Sequence, residues 1–231
     1  MSARRLLFTA LVVTACSVVP ACRRAPAELA ATETSNASGG TVSATETTHD
    51  LPRVIFLGDS LTAGFGLAAK DSFPAVIQQR LEDEGLPIEM VNAGVSGDTS
   101  RGGLNRVDWL LRQDPDVLVV GLGGNDGLRA QPVENLRDNL REIVRRAQDA
   151  GAEVLLLGVE MPPNYGPDYR AAFSESFSLI ADEMDVTLVP SMLDGVGGRR
   201  DLNRLDGIHP NAEGQRLVAE NVLPYLRELL Q

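Results

Sequence analysis

The sequence predicts an α/β fold with a five-stranded parallel sheet. Strand and helix patterns alternate along the chain from Leu51 to the C-terminus, which favours right-handed crossovers between parallel neighbours. Three of the five strand candidates are continuous apolar runs rather than alternations of apolar and polar residues. Such runs are typical of strands whose two faces are both covered by helices.

The strand candidates are short aliphatic segments separated by helical patterns. They are Val54–Leu57, Ile88–Asn92, Val117–Gly121, Val154–Val159 and Val186–Leu188. The first, third and fourth are the continuous apolar runs, so we expect helices on both of their faces.

Three helices are predicted from apolar residues that recur at helical spacing. The first starts near Phe73, with Asp71 or Ser72 as its capping residue, and the second follows Pro132. The third is predicted over Ala212–Leu230 and ends the chain.

Composition and charge exclude several classes of function. The formal net charge is -11, and residues 1–27 carry four positive charges, so the remainder carries -11 - 4 = -15. A body this acidic is a poor binder of nucleic acid, which requires clustered basic side chains. The only cysteines are Cys16 and Cys22, and the only histidines are His49 and His209. We therefore expect no metal centre of the histidine and cysteine type, although these counts leave open a Mg²⁺ or Ca²⁺ ion bound by carboxylates.

Residues 1–22 are predicted to be an export signal. Arg4 and Arg5 precede an apolar run that is too short to span a membrane. Cys16 and Cys22 each follow small residues, in a pattern that resembles the bacterial lipobox, while Ala25-Pro26-Ala27 would suit ordinary signal peptidase. Both alternatives place the protein in the periplasm or cell envelope, and the first adds a lipid anchor to the membrane.

Residues 23–50 are predicted to be a flexible tether, and residues 51–231 the folded domain. The tether is rich in alanine, threonine, serine and glutamate and lacks aromatic residues. It cannot bury enough apolar surface to offset the entropy lost on ordering.

Ser60 is the first candidate for catalysis. It follows the first predicted strand in Gly58-Asp59-Ser60, and ligands of open α/β sheets bind at such strand ends. By itself, this motif is more typical of a turn whose serine caps the next helix. The segment Asp206-Gly207-Ile208-His209 favours catalysis, because it offers a carboxylate and an imidazole that could orient and act as the base for the serine.

Two further loops offer hydrogen-bond donors for an oxyanion. Gly97 follows the second strand, where a glycine lets a backbone N–H approach a substrate closely. Asn125 follows the third strand and carries a side-chain NH₂ group.

Together these motifs resemble the four blocks of the SGNH (GDSL) hydrolase family. The blocks are Gly58-Asp59-Ser60-Leu61, Gly97, Gly123-Gly124-Asn125-Asp126 and Asp206-x-x-His209, in family order over residues 53–231. The branch called thioesterase I, lysophospholipase L1 or arylesterase is the most similar, through segments such as Pro163-Asn164-Tyr165-Gly166.

The resemblance implies a three-layer α/β/α, flavodoxin-like fold and a role for each motif residue. Ser60 would be the nucleophile, His209 the base and Asp206 its orienter. The oxyanion hole would comprise Ser60, Gly97 and Asn125. Substrate-binding positions would be Gly127, Leu128, Arg129, Pro163 and Tyr165, and the segment 127–132 resembles the loop that accommodates acyl chains.

The function implied by the resemblance is that of a serine esterase acting on small acyl esters or thioesters. Arylesterase, acyl-CoA thioesterase and lysophospholipase activities all fit this expectation. The alternatives are a carbohydrate O-acetyl esterase, since sugar deacetylases share the same blocks, and a non-catalytic envelope lipoprotein that binds acyl chains. We expect a monomer that needs no cofactor.

Overall fold

Five parallel strands form the sheet at the centre of the molecule. The structure, a computed structural model, describes residues 50–231; the predicted signal and nearly all of the predicted tether lie outside this range. The strands are β1 (Arg53–Gly58), β2 (Glu89–Gly94), β3 (Val117–Gly121), β4 (Glu153–Leu157) and β5 (Thr187–Val189). Their order, β2-β1-β3-β4-β5, is the flavodoxin-like order, so the predicted α/β fold is confirmed.

The register of the sheet aligns the ends of three strands. Gly58 at the end of β1 pairs with Gly94 of β2 on one side and with Gly121 of β3 on the other. The loops that follow these strands therefore leave the sheet side by side. These are the three loops that carry the Ser60, Gly97 and Asn125 motifs.

Four of the five predicted strands differ from the structure at one or both ends. Strand β1 is one residue longer at each end than predicted. Strand β2 begins after Ile88 and continues to Gly94, and β5 begins after Val186. Strand β4 ends at Leu157, although Val159 beyond it is buried. A run of apolar residues indicates which residues are buried, not which residues pair with a neighbouring strand. The predicted β4 was therefore too long at its C-terminal end.

Within residues 50–231, seven α-helices connect or follow the strands. They are α1 (Ser60–Ala63), α2 (Phe73–Asp83), α3 (Ser100–Leu111), α4 (Gly124–Leu128), α5 (Val133–Asp149), α6 (Pro167–Met184) and α7 (Ala212–Leu229). The three predicted helices correspond to α2, α5 and α7, whereas the long helices α3 and α6 and the short helices α1 and α4 were not predicted. Helix α3 contains Gly102 and Gly103, and glycine is a poor helix former. A Cβ on Gly102 would collide with the Asp98 carboxylate and a Cβ on Gly103 with the Leu122 side chain, so the close packing here favours glycine.

The helices form a layer on each face of the sheet. Helices α3, α5 and α6 share one core with Ile55 and Leu57 of β1. Helices α2 and α7 share the other core with Val54 and Phe56 of the same strand. Consecutive strand residues thus enter opposite cores, which explains why the central strands are continuous apolar runs.

The start of α2 is stabilised by a distant residue rather than by its capping side chain. Ser72 occupies the capping position, but its hydroxyl donates to the Ala69 carbonyl at 2.8 Å. The backbone N–H of Phe73 donates instead to Gln215 Oε1 of α7 at 2.7 Å. Of the two predicted capping residues, Ser72 therefore holds the capping position, but it caps α2 without a side-chain hydrogen bond.

Two features are absent from the part of the chain that the structure describes. None of the helices within residues 50–231 is long and apolar enough to cross a membrane. The same residues contain no group of three histidine, cysteine, aspartate or glutamate side chains placed to hold a metal ion.

Candidate active site

A serine, a histidine and an aspartate form a hydrogen-bonded chain above the end of β1. Ser60 Oγ lies 2.9 Å from His209 Nε2, although 149 residues separate them in the sequence. His209 Nδ1 lies 3.0 Å from Asp206 Oδ2. Both contacts are satisfied when Nδ1–H donates to the carboxylate and the Ser60 hydroxyl donates to Nε2. This arrangement is that of a nucleophile, a base and a group that orients the base.

The loop between β5 and α7 fixes the orientation of His209. Asp206 Oδ1 accepts the backbone N–H groups of Ile208 and His209 at 2.9 and 3.0 Å, leaving Oδ2 for the imidazole. These backbone hydrogen bonds, together with His209, hold the pKa of the Asp206 carboxyl at about 2. Asp206 therefore stays ionised at any pH near neutrality.

Asp59 determines how Ser60 is presented. Its Oδ1 accepts the backbone N–H of Leu61 at 2.9 Å and so caps α1. Ser60 is the first residue of α1, so the alternative that it caps the helix is wrong. Its hydroxyl is left for His209, and its backbone N–H has no acceptor within the helix.

The two remaining oxyanion candidates lie in neighbouring loops that contact each other. Asn125 Nδ2 donates to the Asp98 carbonyl at 2.9 Å, next to Gly97. Gly97 has a φ of 83°, a left-handed conformation that favours glycine. Its carbonyl accepts from Arg129 at 3.0 Å. These contacts join the loop after β2 to the segment after β3. Both segments follow strands that lie next to β1, whose end precedes Ser60.

Residues that were not predicted from the sequence support these loops. Arg106 of α3 donates to the Asp98 carboxylate at 2.8 Å and to the carbonyls of Ala93 and Gly58 at 2.7 and 3.0 Å. One guanidinium thus ties the ends of β1 and β2 to the loop that carries Gly97. The pairing of Arg106 with Asp98, eight residues apart, spans a loop and a helix, so helical spacing alone gave no signal.

A second buried cluster anchors α4, which carries Asn125. The Asp126 carboxylate accepts from the Ser100 backbone N–H at 2.8 Å and from its hydroxyl at 2.6 Å. Asn139 of α5 donates to the same hydroxyl at 2.9 Å. All three side chains are buried, so α4 is fixed to both α3 and α5.

The comparison with known proteins identifies the family. Residues 56–217 match the GDSL-like Lipase/Acylhydrolase family. The chain belongs to this family. The matched region contains Ser60, Asn125 and the Asp206–His209 segment, so it includes the whole hydrogen-bonded site described above.

Similar proteins carry names that describe ester hydrolysis. The hydrolase is 45% identical over 178 residues to Esterase TesA of Pseudomonas aeruginosa, covering 77% of this chain and 89% of that protein. It is 38% identical over 178 residues to Thioesterase 1/protease 1/lysophospholipase L1 of Escherichia coli (strain K12), covering 77% of this chain and 84% of that protein. A crystal structure of TesA superposes with a TM-score of 0.75 at 44% identity, covering 77% and 99% of the two chains.

The predicted substrate-binding residues of the hydrolase lie close together but differ in exposure. Tyr165 Oη donates to the Leu128 carbonyl at 2.9 Å, which joins the turn at Pro163–Tyr165 to the end of α4. Arg129 and Pro163 are exposed, and Leu128 and Tyr165 are half-buried. Gly127 is buried in α4, and a Cβ there would lie 2.2 Å from Met161 Sδ. Direct contact of these residues with substrate stays a prediction.

An aromatic side chain that was not predicted flanks the catalytic imidazole. The ring of Phe65 lies 4.7 Å from that of His209, measured between centroids, and 45% of Phe65 is exposed. The guanidinium of Arg204 lies 5.5 Å from the Phe65 centroid and donates to the Phe65 carbonyl at 3.1 Å. The hydrolase thus shields one face of its histidine with an apolar ring.

Proposed function

We propose that this hydrolase cleaves carboxylic esters and thioesters through an acyl-enzyme formed on Ser60. The observation that carries the proposal is the chain of contacts from Ser60 Oγ to His209 at 2.9 Å and from His209 to Asp206 at 3.0 Å. The names of the similar proteins, an esterase and a thioesterase with lysophospholipase activity, support the same class of substrate.

The first half-reaction transfers the acyl group to the serine. Ser60 Oγ attacks the carbonyl carbon while His209 Nε2 takes the hydroxyl proton. The Asp206 carboxylate stabilises the imidazolium through Nδ1–H. His209 then gives the proton to the leaving alcohol or thiol as its bond to the carbonyl carbon breaks, which leaves an ester on Ser60.

The second half-reaction returns the enzyme to its starting state. Water attacks the acyl-enzyme carbonyl and gives its proton to His209 Nε2. His209 returns the proton to Ser60 Oγ as the acid departs. Both steps pass through a tetrahedral oxyanion, for which the backbone N–H groups of Ser60 and Gly97 and the amide of Asn125 are the proposed donors. The reaction uses only these groups and water.

The catalytic assignment is tested by replacing the nucleophile and base separately and together. Ser60→Ala, His209→Ala and the double variant should each lose 10³-fold or more in kcat, and the double should be little slower than either single variant. Ser174→Ala, at an exposed position of α6, is the matched control and should retain full activity. Multiplying losses, or normal turnover in Ser60→Ala, would refute the assignment and favour a non-catalytic role.

Rates of hydrolysis of p-nitrophenyl esters with acyl chains from acetyl to palmitoyl would show which chain lengths the enzyme prefers. Leu128 and Tyr165 beside the site are the side chains proposed to contact an acyl chain, so we expect activity on chains longer than acetyl. Activity confined to acetyl esters would favour the carbohydrate O-acetyl esterase alternative. Arg129 and Pro163 are proposed to border the same surface, with Gly127 behind it.

We propose that the enzyme is exported and works at the cell envelope as a monomer. The proposal of export rests on the sequence of residues 1–22 and on the composition of residues 23–50. Expressed with its own signal in a bacterium, the protein should incorporate labelled palmitate, and Cys16→Ser with Cys22→Ser should release it, still active, from membranes. Unlabelled soluble protein that begins near Glu28 would show processing by ordinary signal peptidase. A molecular mass in solution of twice that of the chain would contradict the monomer.

A further inference from the structure

The steps proposed above do not use Asp59, although it precedes the nucleophile and is only 3% exposed. Its Oδ1 accepts the Leu61 N–H at 2.9 Å, and its Oδ2 accepts Asn125 Nδ2 at 3.2 Å. Gly124 faces this carboxylate so closely that a Cβ there would lie 3.2 Å from Oδ2. The carboxylate is therefore enclosed between α1 and α4 and contacts the proposed oxyanion donor directly.

The two acceptors around Asn125 determine which way its amide faces. Its Nδ2 donates to the Asp98 carbonyl at 2.9 Å and to Asp59 Oδ2 at 3.2 Å. Turning the amide by half a rotation would place its carbonyl oxygen against both of these oxygens, with no hydrogen between them. The ionised carboxylate of Asp59 thus favours the orientation in which the NH₂ group of Asn125, rather than its carbonyl oxygen, faces the proposed oxyanion hole. The bond to Asp59 is the longer one, so its hydrogen is the one better placed to be shared with a substrate oxyanion.

Protonation of Asp59 would reverse this preference. Both groups that Asp59 contacts, the Leu61 N–H and Asn125 Nδ2, are donors, so a proton on Oδ2 would face a hydrogen of Asn125. A turned amide would accept that proton through its carbonyl oxygen. The turned amide would then present an acceptor where the oxyanion needs a donor.

We propose that Asp59 is a positioning residue whose ionised carboxylate keeps Asn125 in the orientation that stabilises the oxyanion, and whose protonation switches that donor off. This inference rests on the proposed function, since it assigns a role within the oxyanion hole. It makes turnover depend on the ionisation of a carboxyl that takes no part in the proton transfers.

The charged groups around Asp59 are compatible with its titration under assay conditions. The pKa of Asp59 is raised to about 6 mainly by burial, with a smaller raising effect of the nearby Asp98 carboxylate, and this value already includes the lowering effects of the Leu61 N–H, His209 and Asn125. Asp98 is itself paired with Arg106 at 2.8 Å. Asp206, the other carboxylate of the site, has a pKa of about 2 and does not titrate in this range.

The test combines Asp59→Asn with pH profiles. Asparagine keeps an oxygen for the Leu61 N–H, so α1 remains capped, but its NH₂ group faces Asn125 as a protonated Asp59 would. We expect kcat to fall on the order of 10²-fold with KM nearly unchanged, as when one oxyanion donor is lost. Combined with Asn125→Ala, the loss should not exceed that of Asn125→Ala alone. Asp182→Asn, an exposed change in α6, should behave as the wild type.

The acid limb of kcat/KM separates positioning from a merely structural role. Over the two pH units below about 6, its slope against pH should be steeper by about one in the wild type than in Asp59→Asn, because protonation of Asp59 in this range removes the roughly 10²-fold contribution of the Asn125 donor. Thermal melts of each variant confirm that it is folded at the assay temperature. Wild-type kcat in Asp59→Asn, losses that multiply with Asn125→Ala, or equal slopes of the two proteins over that pH range would overturn the inference.

The failure of this inference differs from the failure of the proposed function. If only the inference is wrong, Ser60→Ala is inactive while Asp59→Asn gives one of the overturning results above. If Ser60→Ala retains turnover, Ser60 is not the nucleophile. The proposed function is then wrong, and so is the role of Asp59 that depends on it.

Discussion

Replacing Asp59 with asparagine should stabilise the folded protein at pH 8 even as it slows turnover. Burial raises the pKa of Asp59 from 3.8 to about 6. A carboxyl whose folded-state pKa is raised binds protons more tightly in the folded than in the unfolded state. Its ionisation therefore costs stability as pH rises from 3.8 to about 6, and the full cost persists above that range.

The magnitude follows from the size of that pKa difference. About 2.2 pKa units at about 1.4 kcal/mol each give a cost of about 3 kcal/mol at pH 8. Little discount for solvent is needed, because only 3% of Asp59 is exposed. Asparagine removes this cost. Its NH₂ group faces the NH₂ group of Asn125, however, and this unfavourable contact lowers the stability of the variant by about 1–2 kcal/mol. The net expected gain is about 1–2 kcal/mol, or a rise in Tm of roughly 2–8 °C.

Urea unfolding at pH 8 and at pH 4 measures this effect. The difference in unfolding free energy between Asp59→Asn and the wild type should shift by about 2–3 kcal/mol in favour of the variant from pH 4 to pH 8, because Asp59 is already protonated in the folded state at pH 4. Asp182→Asn should show no such shift. An Asp59→Asn variant that is destabilised equally at both pH values would refute the argument from burial.

Three further variants test other parts of the site. Asn125→Ala should fold normally yet lose about 10²–10³-fold in kcat; a change confined to KM would mean that it binds only ground-state substrate. Asp206→Asn should lose about 10³–10⁴-fold in kcat, because its NH₂ group favours the imidazole tautomer that cannot accept the Ser60 proton, and near-normal kcat would contradict that role. Gly127→Ala should lower the Tm by overpacking Met161 rather than raise KM; unchanged stability with altered KM would instead support substrate contact at Gly127.

The nucleophile, the base and the fold class could be predicted because each leaves a local pattern. Apolar runs separated by helical patterns indicated the parallel sheet, and Ser60 lies three residues after the first of these runs. Asp206 and His209 lie within one short turn, so their pairing needed no knowledge of distant parts of the chain. Asn125 could be proposed because it follows the end of β3 by only four residues.

The residues that escaped prediction act across long sequence separations. Arg106 joins the ends of β1 and β2, and Phe65 lies against a histidine 144 positions later in the chain. Helix α3 was missed because its paired glycines lower helix propensity, while their value, close packing against Asp98 and Leu122, exists only in the folded protein.

The sequence by itself determined the alternation of strands and helices, the chemical types at the site and the turn that joins Asp206 to His209. Only the tertiary structure decided the strand order and register, which bring Gly58, Gly94 and Gly121 to one level. It also decided the burial of Asp59 beside Asn125. The physical reason is that apolar periodicity and turn chemistry act over a few residues, whereas burial, and the pKa that follows from it, depends on elements that meet only after folding.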